Sequence, residues 1–243
     1  MNYRVTLANN YLLGKGVEFG ALHNPLKIDG SKALVLYADK YSKSDLVQNF
    51  PELKKIRESI VETDIFLDLD RDDLQVLIEH DFDFYIANHV IEHLVNPLKF
   101  LDRLNRIMKP GSYLYLAVPD KEYTFDRHRE LTTWEHLYKE YLGNTTELSK
   151  EHLEDFIINI TKDHINDSVR KKEMYDDYAN WFKRWSIRQK HRQRSIHVHV
   201  WNHHSFNKFI TQAIEKLELN LDIVDRVDSS VNKHEMIYIL RKK

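Results

Sequence analysis

The chain of 243 residues contains no cysteine. That excludes disulfides, thiolate metal sites and a thiol nucleophile. Glycine and proline are scarce and unevenly placed: no proline follows Pro119 and no glycine follows Gly143. No apolar run approaches the ~18 residues that a bilayer span requires. The opening stretch, MNYRVTLANNYLLG, lacks the charged-then-apolar pattern of an export signal. A cytoplasmic location without membrane insertion is the resulting expectation. Net charge is only −2, so no global field argues for nucleic acid as a partner. With 42 % hydrophobic residues, the chain suffices for one large core carrying an insertion.

What is present divides near Asp120. Before it, strand and helix patterns alternate. Gly16 to Phe19, Ala33 to Tyr37, Ser59 to Asp64, Phe82 to Ala87 and Tyr113 to Val118 read as strands. Ser44 to Arg57 and Asp72 to Glu79 read as helices. So does Asn96 to Met108, with Leu98, Leu101, Leu104 and Ile107 at helical spacing and Lys109-Pro110-Gly111 as its stop. After Asp120 come all four tryptophans and ten of the fourteen histidines, in a mainly helical stretch to about Arg194. Ser205 to Leu217 is a further amphipathic helix; Asn220 to Asp225 and Glu235 to Arg241 are closing strands. The expected fold is α/β: a Rossmann-like, doubly wound, mostly parallel sheet with a closing antiparallel strand. Residues 1–120 and 196–243 would form the core, and 121–195 a helical, acceptor-binding insertion after the fifth strand.

Ligands of such sheets sit beyond the C-terminal strand ends. Glu18 ends the first strand and Gly20 makes the turn, where backbone can approach a ligand or take positive φ. Leu22 stands where a second glycine is expected. Asp39, after the second strand, offers acceptors to both hydroxyls of a ribose, of NAD or of S-adenosylmethionine alike. Asp64, read as closing the third strand, is placed to accept from an adenine amine with Ile65 on the ring. A tight turn, a helix cap and a solvated turn acid are the plainer readings of these same residues.

The stretch DFYIANHVIEHL, Asp83 to Leu94, resembles the fourth-strand signature of class I S-adenosylmethionine-dependent methyltransferases of the type 11 subgroup. RIMKPGSYLYLAVPD, Arg106 to Asp120, is similar to the next conserved stretch of that family, and GVEFGALHNPL to a variant of its first motif. The resemblance spans Gly14 to Asp120. It implies S-adenosyl-L-methionine as cofactor and S-adenosyl-L-homocysteine as product. Glu18, Gly20, Ala21 and Leu22 would lie under the methionine part. Asp39 would hold the ribose, Asp64 and Ile65 the adenine, and Asn88 and His89 would line the sulfonium side. Glu92 and His93 read as a helix cap.

Methyl transfer to a hydroxyl needs a base or a metal near an in-line acceptor. VPDKEYTFDRHRELTTWEH supplies Asp120, Tyr123, Asp126, His128, Arg129 and His136, a polar density suited to a sugar. This block, with the later HVHVW, resembles methyltransferases of bacterial surface-polysaccharide (capsule or lipopolysaccharide) pathways. That resemblance implies O-methylation of a nucleotide-activated or polysaccharide-linked sugar. Strand alternation would set His197 and His199 on one face. The candidate catalytic residues are His136, His199 and Asp120; Tyr123, Asp126, His128, Arg129 and His197 are candidates for the acceptor. No metal is favoured; a divalent ion, if used, would sit on Asp120, Asp126 and His199. Six basic residues between Lys183 and Arg194 are either a solvated face or a phosphate grip. The aromatics from Trp134 to Trp185 are candidates for a cap over the site or a homodimer surface. The alternatives are another phosphorylated capsule precursor as acceptor, an NAD-dependent oxidoreductase, or an inactive methyltransferase-like binding module.

Overall fold

A computed structural model describes residues 2–49, 51–160 and 196–243. The chain opens with α1 (Tyr3–Tyr11), capped by the Asn2 side chain, a helix the apolar periodicity did not announce. Then come β1 (Gly14–Phe19), β2 (Ala33–Asp39), α2 (Lys43–Asn49), β3 (Ile65–Phe66), β4 (Phe84–Asn88), α3 (Pro97–Ile107) and β5 (Tyr113–Pro119). Next are α4 (Trp134–Leu142) and α5 (Lys150–Ile160). The chain closes with α6 (His203–Lys216), β6 (Leu221–Val227), α7 (Ser229–Asn232) and β7 (Glu235–Lys242).

The seven strands form one sheet in the order β3-β2-β1-β4-β5-β7-β6. The first five run parallel, and β7 enters antiparallel between β5 and β6. The sheet is thus the expected Rossmann-like one with an antiparallel closure. Its direction of growth reverses between β1 and β4, so the crevice beyond those two strand ends is the natural ligand position. β4 and β5 alternate between two covered faces, which is why both read as nearly unbroken apolar runs. Phe84, Ile86, Tyr115 and Ala117 pack with Leu7 and Leu12 of the α1 side. Tyr85, Ala87, Leu114 and Leu116 pack with Leu98, Leu101 and Leu104 of α3 and Phe206 of α6. Burying each of these α3 leucines is worth roughly 2 kcal/mol. Gly16 lets the sheet close here, because a Cβ on it would stand 2.0 Å from the Phe84 ring.

Two expectations need correction. The helix read over Ser44 to Arg57 is divided into α2 and a 3-10 stretch, Pro51–Ser59, since Pro51 lacks the N–H that would continue it. The third strand is not Ser59 to Asp64 but the two residues Ile65–Phe66, and the preceding segment is a loop. Asp64 therefore precedes β3. Elsewhere boundaries shift by a residue or two; α6 begins at His203, capped reciprocally by Asn202 and Ser205, so His203 and His204 lie inside the helix. The basic stretch Lys183 to Arg194 and the aromatics Tyr175, Tyr178, Trp181 and Trp185 lie outside the described residues. Among the described residues no helix is long and apolar enough to cross a membrane.

Candidate active site

The C-terminal tips of β1, β2 and β4 meet at one crevice. Glu18 is buried, and both its oxygens accept from the Leu26 amide at 3.0 Å. Burial pushes its carboxyl up to about 7, against the Leu26 amide, Arg4 and the Asn88 amide, which lower it. Glu18 thereby braces the turn 20–26 from beneath. Gly20 has φ +59° and Leu22 φ +50°. Leu22 thus occupies the left-handed region in which a glycine was expected, at a cost of about 1 kcal/mol. Ala21 lies between them at the apex. Asp39, the last residue of β2, is half-buried and accepts from the Tyr41 amide at 3.0 Å. Burial raises its carboxyl pKa.

Asp64 and Ile65 do not reach this crevice as expected. The Asp64 carboxylate accepts from the Tyr37 amide at 2.8 Å and extends the β2–β3 ladder at its start. Ile65 is a buried residue of β3 itself. The positions after β3 are Leu67, whose amide bonds the Asp39 carbonyl at 3.0 Å, then Asp68 and Leu69. Asp68 stands near enough to Asp39 to raise its pKa further. The repeated acid–apolar pattern in TDIFLDLD hid which pair came after the strand.

Beyond β4 the backbone turns sharply, with His89 at φ +54°. The Asn88 side-chain oxygen is buried and accepts no hydrogen bond. His89 Nε2 lies 2.7 Å from Glu235 Oε2 and 3.0 Å from the Arg4 guanidinium, and Arg4 pairs with Glu235. His234 stacks on His89, ring centroids 5.4 Å apart, and is itself exposed. Partial desolvation of the ring and the nearby His89 lower the His234 pKa, against Glu235, which raises it. Arg4, His234 and Glu235 carry no motif; α1 and the β6–β7 turn bring them here, which the sequence did not signal.

The candidates after β5 separate. Asp120 is fully buried, and its carboxylate is filled by the Ser229 hydroxyl (2.6 Å), the Glu122 amide (2.9 Å) and the His203 amide (3.0 Å). It joins structure rather than chemistry. Arg129 is likewise buried: its guanidinium donates to Asp126 (2.9 Å), Asp155 (2.7 Å), the His197 carbonyl (2.7 Å) and the Val198 carbonyl (3.3 Å), leaving no fork for an acceptor. His197 and His199 do not share a partner. The 196–201 segment has no regular structure, bends at His199 and pairs with no strand; the Val198 and His199 amides tie it to the Glu92 carbonyl. His197 Nδ1 meets Asp126 at 2.5 Å, while His199 Nε2, fully buried, donates to the Val95 carbonyl at 3.1 Å. His136 sits 3.0 Å from His152 and 3.4 Å from Glu140, apart from the strand tips. Asp120, Asp126 and His199 consequently form no common ion site. Tyr123 is exposed beneath Lys233, 5.5 Å from its ring centroid, and His128 is exposed.

This edge suits an adenosyl donor on its own terms. Acids tip β1 and β2, a left-handed turn opens between them, and an unfilled buried acceptor, Asn88 Oδ1, faces the end of β4. An α/β sheet so equipped is of the class that binds an adenosine-bearing ligand at its strand tips. A family model described as a methyltransferase domain matches residues 29–213. The chain belongs to that family, and its methyl donor is S-adenosylmethionine. Among solved structures, a Rhodobacter sphaeroides protein described as a zinc-dependent alcohol dehydrogenase is similar at 11 % identity and TM-score 0.54, covering 98 % of this chain and 87 % of that one. An S-adenosylmethionine-dependent methyltransferase from Clostridium acetobutylicum is similar at 9 % identity and TM-score 0.46, with 97 % and 87 % covered. The CurJ carbon methyltransferase is similar at 11 % identity and TM-score 0.43; 94 % of this chain is covered, and it spans about half, 48 %, of that one. At these identities the likeness is of fold alone. No curated protein matches the sequence.

Proposed function

We propose that this chain is an O-methyltransferase whose acceptor is a sugar hydroxyl on a nucleotide-activated or polysaccharide-linked precursor of a cell-surface glycan. The observation that carries the reading is the composition of the rim beside Asn88. There Arg4, His89 and Glu235 form one hydrogen-bonded group of donors and acceptors, and the exposed His234 imidazole stacks on its edge. A polyhydroxylated acceptor needs many directional partners, and a hydroxyl nucleophile needs a base; an amine needs less help once neutral. His234 is the candidate base, exposed and with its pKa lowered, and His89 is held behind it by Glu235. S-adenosylmethionine supplies an electrophilic methyl on a sulfonium. In this reading Asp39 holds the ribose, Asp68 and Leu69 take the adenine in place of Asp64 and Ile65, and Gly20 to Leu22 underlie the methionine part. Tyr123 and His128 remain acceptor candidates.

A screen of nucleotide sugars with labelled methyl donor tests the proposal. Transfer to a nucleotide sugar, reduced at least a hundredfold in His234→Asn with homocysteine-product binding retained, is expected. Transfer confined to phosphorylated acceptors without a sugar hydroxyl, or none to any sugar, overturns it.

A further inference from the structure

Glu92 lies in the 3-10 turn Ile91–His93 just beyond β4. Its side chain is wholly buried, and neither carboxylate oxygen accepts a hydrogen bond. A buried carboxylate without a partner is among the costliest groups a fold can hold. Imidazoles surround it. His89 Nδ1 is 3.7 Å and His93 Nε2 3.9 Å from Glu92 Oε1, and Glu92, His93 and His197 each bring a ligand atom within 4.8 Å of the others'.

The groups behind two of these rings decide their protonation. His93 Nδ1 is 2.9 Å from the Ile196 carbonyl oxygen, which only accepts, so Nδ1 carries the hydrogen. His197 Nδ1 is 2.5 Å from Asp126 Oδ2. The Arg129 guanidinium, a permanent cation, donates to the other carboxylate oxygen, Asp126 Oδ1, at 2.9 Å. Asp126 is therefore ionised and accepts, and His197 Nδ1 also carries a hydrogen. With Nδ1 donating, the far nitrogen of each imidazole, Nε2, is the one that can offer a lone pair to an ion. Imidazoles backed by a carboxylate or carbonyl, with the far nitrogen free, are the arrangement by which proteins orient metal ligands.

We propose that Glu92, His93 and His197 bind one divalent first-row metal ion of the Zn2+ type. Two nitrogens and one carboxylate suit that class, whereas Mg2+ and Ca2+ prefer all-oxygen sets. The ion supplies the charge that Glu92 lacks. Three protein ligands leave a coordination position open, and His89 Nδ1 lies 3.7 Å from Glu92 Oε1. His93 and His197 keep 24 % and 11 % of their side chains exposed, which gives the ion a path in. The two other groupings among the described residues are poorer. At His89, His234 and Glu235 the Arg4 guanidinium already holds the carboxylate. At His136, Glu140 and His152 the Ser149 amide donates to His152 Nδ1, so the facing Nε2 carries a hydrogen and offers no lone pair. The site stands whatever the methyl acceptor is.

The test is metal titration of the full chain after chelator treatment, with Co2+ followed by visible absorption and Zn2+ by calorimetry. One equivalent bound at micromolar affinity or tighter, with a nitrogen-and-oxygen cobalt spectrum, is expected. Glu92→Gln, which keeps the shape and removes the charge, should weaken binding at least a hundredfold. Asp126→Asn, acting through His197, should weaken it ten- to a hundredfold. His136→Ala should leave it unchanged. S-adenosylhomocysteine affinity reports that each variant is folded. Failure of the untouched protein to bind either ion, or binding lost in His136→Ala and kept in Glu92→Gln, overturns the assignment.

Discussion

Asp120 and Ser229 share a 2.6 Å hydrogen bond between two fully buried side chains 109 residues apart. It fastens the end of β5 to the short helix that precedes β7. Two backbone amides, of Glu122 and His203, complete the same carboxylate. Asp120→Ala would strand a hydroxyl and two amides in the interior, and a loss of about 2–4 kcal/mol is expected. Ser229→Ala removes one neutral partner and should cost about 1 kcal/mol. Urea denaturation measures both. Turnover per folded molecule should stay within a few-fold of the parent in Ser229→Ala; a thousandfold loss there would return Asp120 to the chemistry.

The donor's adenosine should discriminate among three acids. Asp39→Ala is expected to weaken S-adenosylhomocysteine at least tenfold, the loss of about 1.4 kcal/mol from a charge-assisted pair of ribose contacts. Asp68→Ala should weaken it less, and Asp64→Ala not at all, because that carboxylate is spent on the Tyr37 amide at the far end of β3. Calorimetry ranks the three. Equal losses at Asp64 and Asp68 would mean that the loop before β3 reaches the ligand after all.

Stability should depend on pH through two buried carboxylates acting in opposite directions. Glu18 ionises near 4.5 when unfolded and near 7 when folded, because burial disfavours its charge. The folded state binds that proton more tightly, so stability falls as pH rises from about 4.5 to about 7, by up to about 3 kcal/mol. Glu18→Gln should remove this slope. Glu235 is pulled down to about 2: burial opposes the shift, and Arg4 and His89 override it. Its contribution is fully present above about 4.5 and is lost as pH falls from there through about 2. Arg4→Ala should therefore flatten the acid limb and, because Arg4 also holds the Glu18 carboxyl down, carry the Glu18 fall to higher pH. Urea midpoints taken from pH 3 to pH 8 resolve the two windows; a Glu18→Gln variant that altered the acid limb would contradict the assignment.

What the sequence made legible was what local chemistry decides. Alternation and helical spacing located β1, β2, β4, β5 and α3 within a residue or two, since those segments bury faces that their own patterns define. The tips at Glu18, Gly20 and Asp39 could be read from the strands they end. β3 was misplaced because a strand of two residues carries no period, and TDIFLDLD offers three acids to a reader who expects one. Arg4 and His234 were missed because their partners are distant: Glu235 lies 231 residues from Arg4 and 146 from His89. His197 and His199 were paired by alternation, yet the segment carries no strand partner to enforce a face, and each ring turns to a different neighbour.

Gly20 separates what the fold needs from what the donor needs. At φ +59° any side chain is strained, by about 1–2 kcal/mol. Space is not the obstacle, because a Cβ there would meet only Val90 Cγ2, at 3.5 Å, an ordinary contact. Gly20→Ala should thus lower stability by about 1 kcal/mol and leave the core intact. If the backbone at this turn lies against the methionine part of the donor, the same methyl group also intrudes on the ligand. S-adenosylhomocysteine affinity should then fall at least tenfold, well beyond what the modest change in folding explains. Leu22→Gly, which relieves a left-handed leucine, should leave affinity within a few-fold and shift stability by less than about 1 kcal/mol. Denaturation and calorimetry on the two variants read the outcome directly, and an unchanged affinity in Gly20→Ala would move the donor away from this turn.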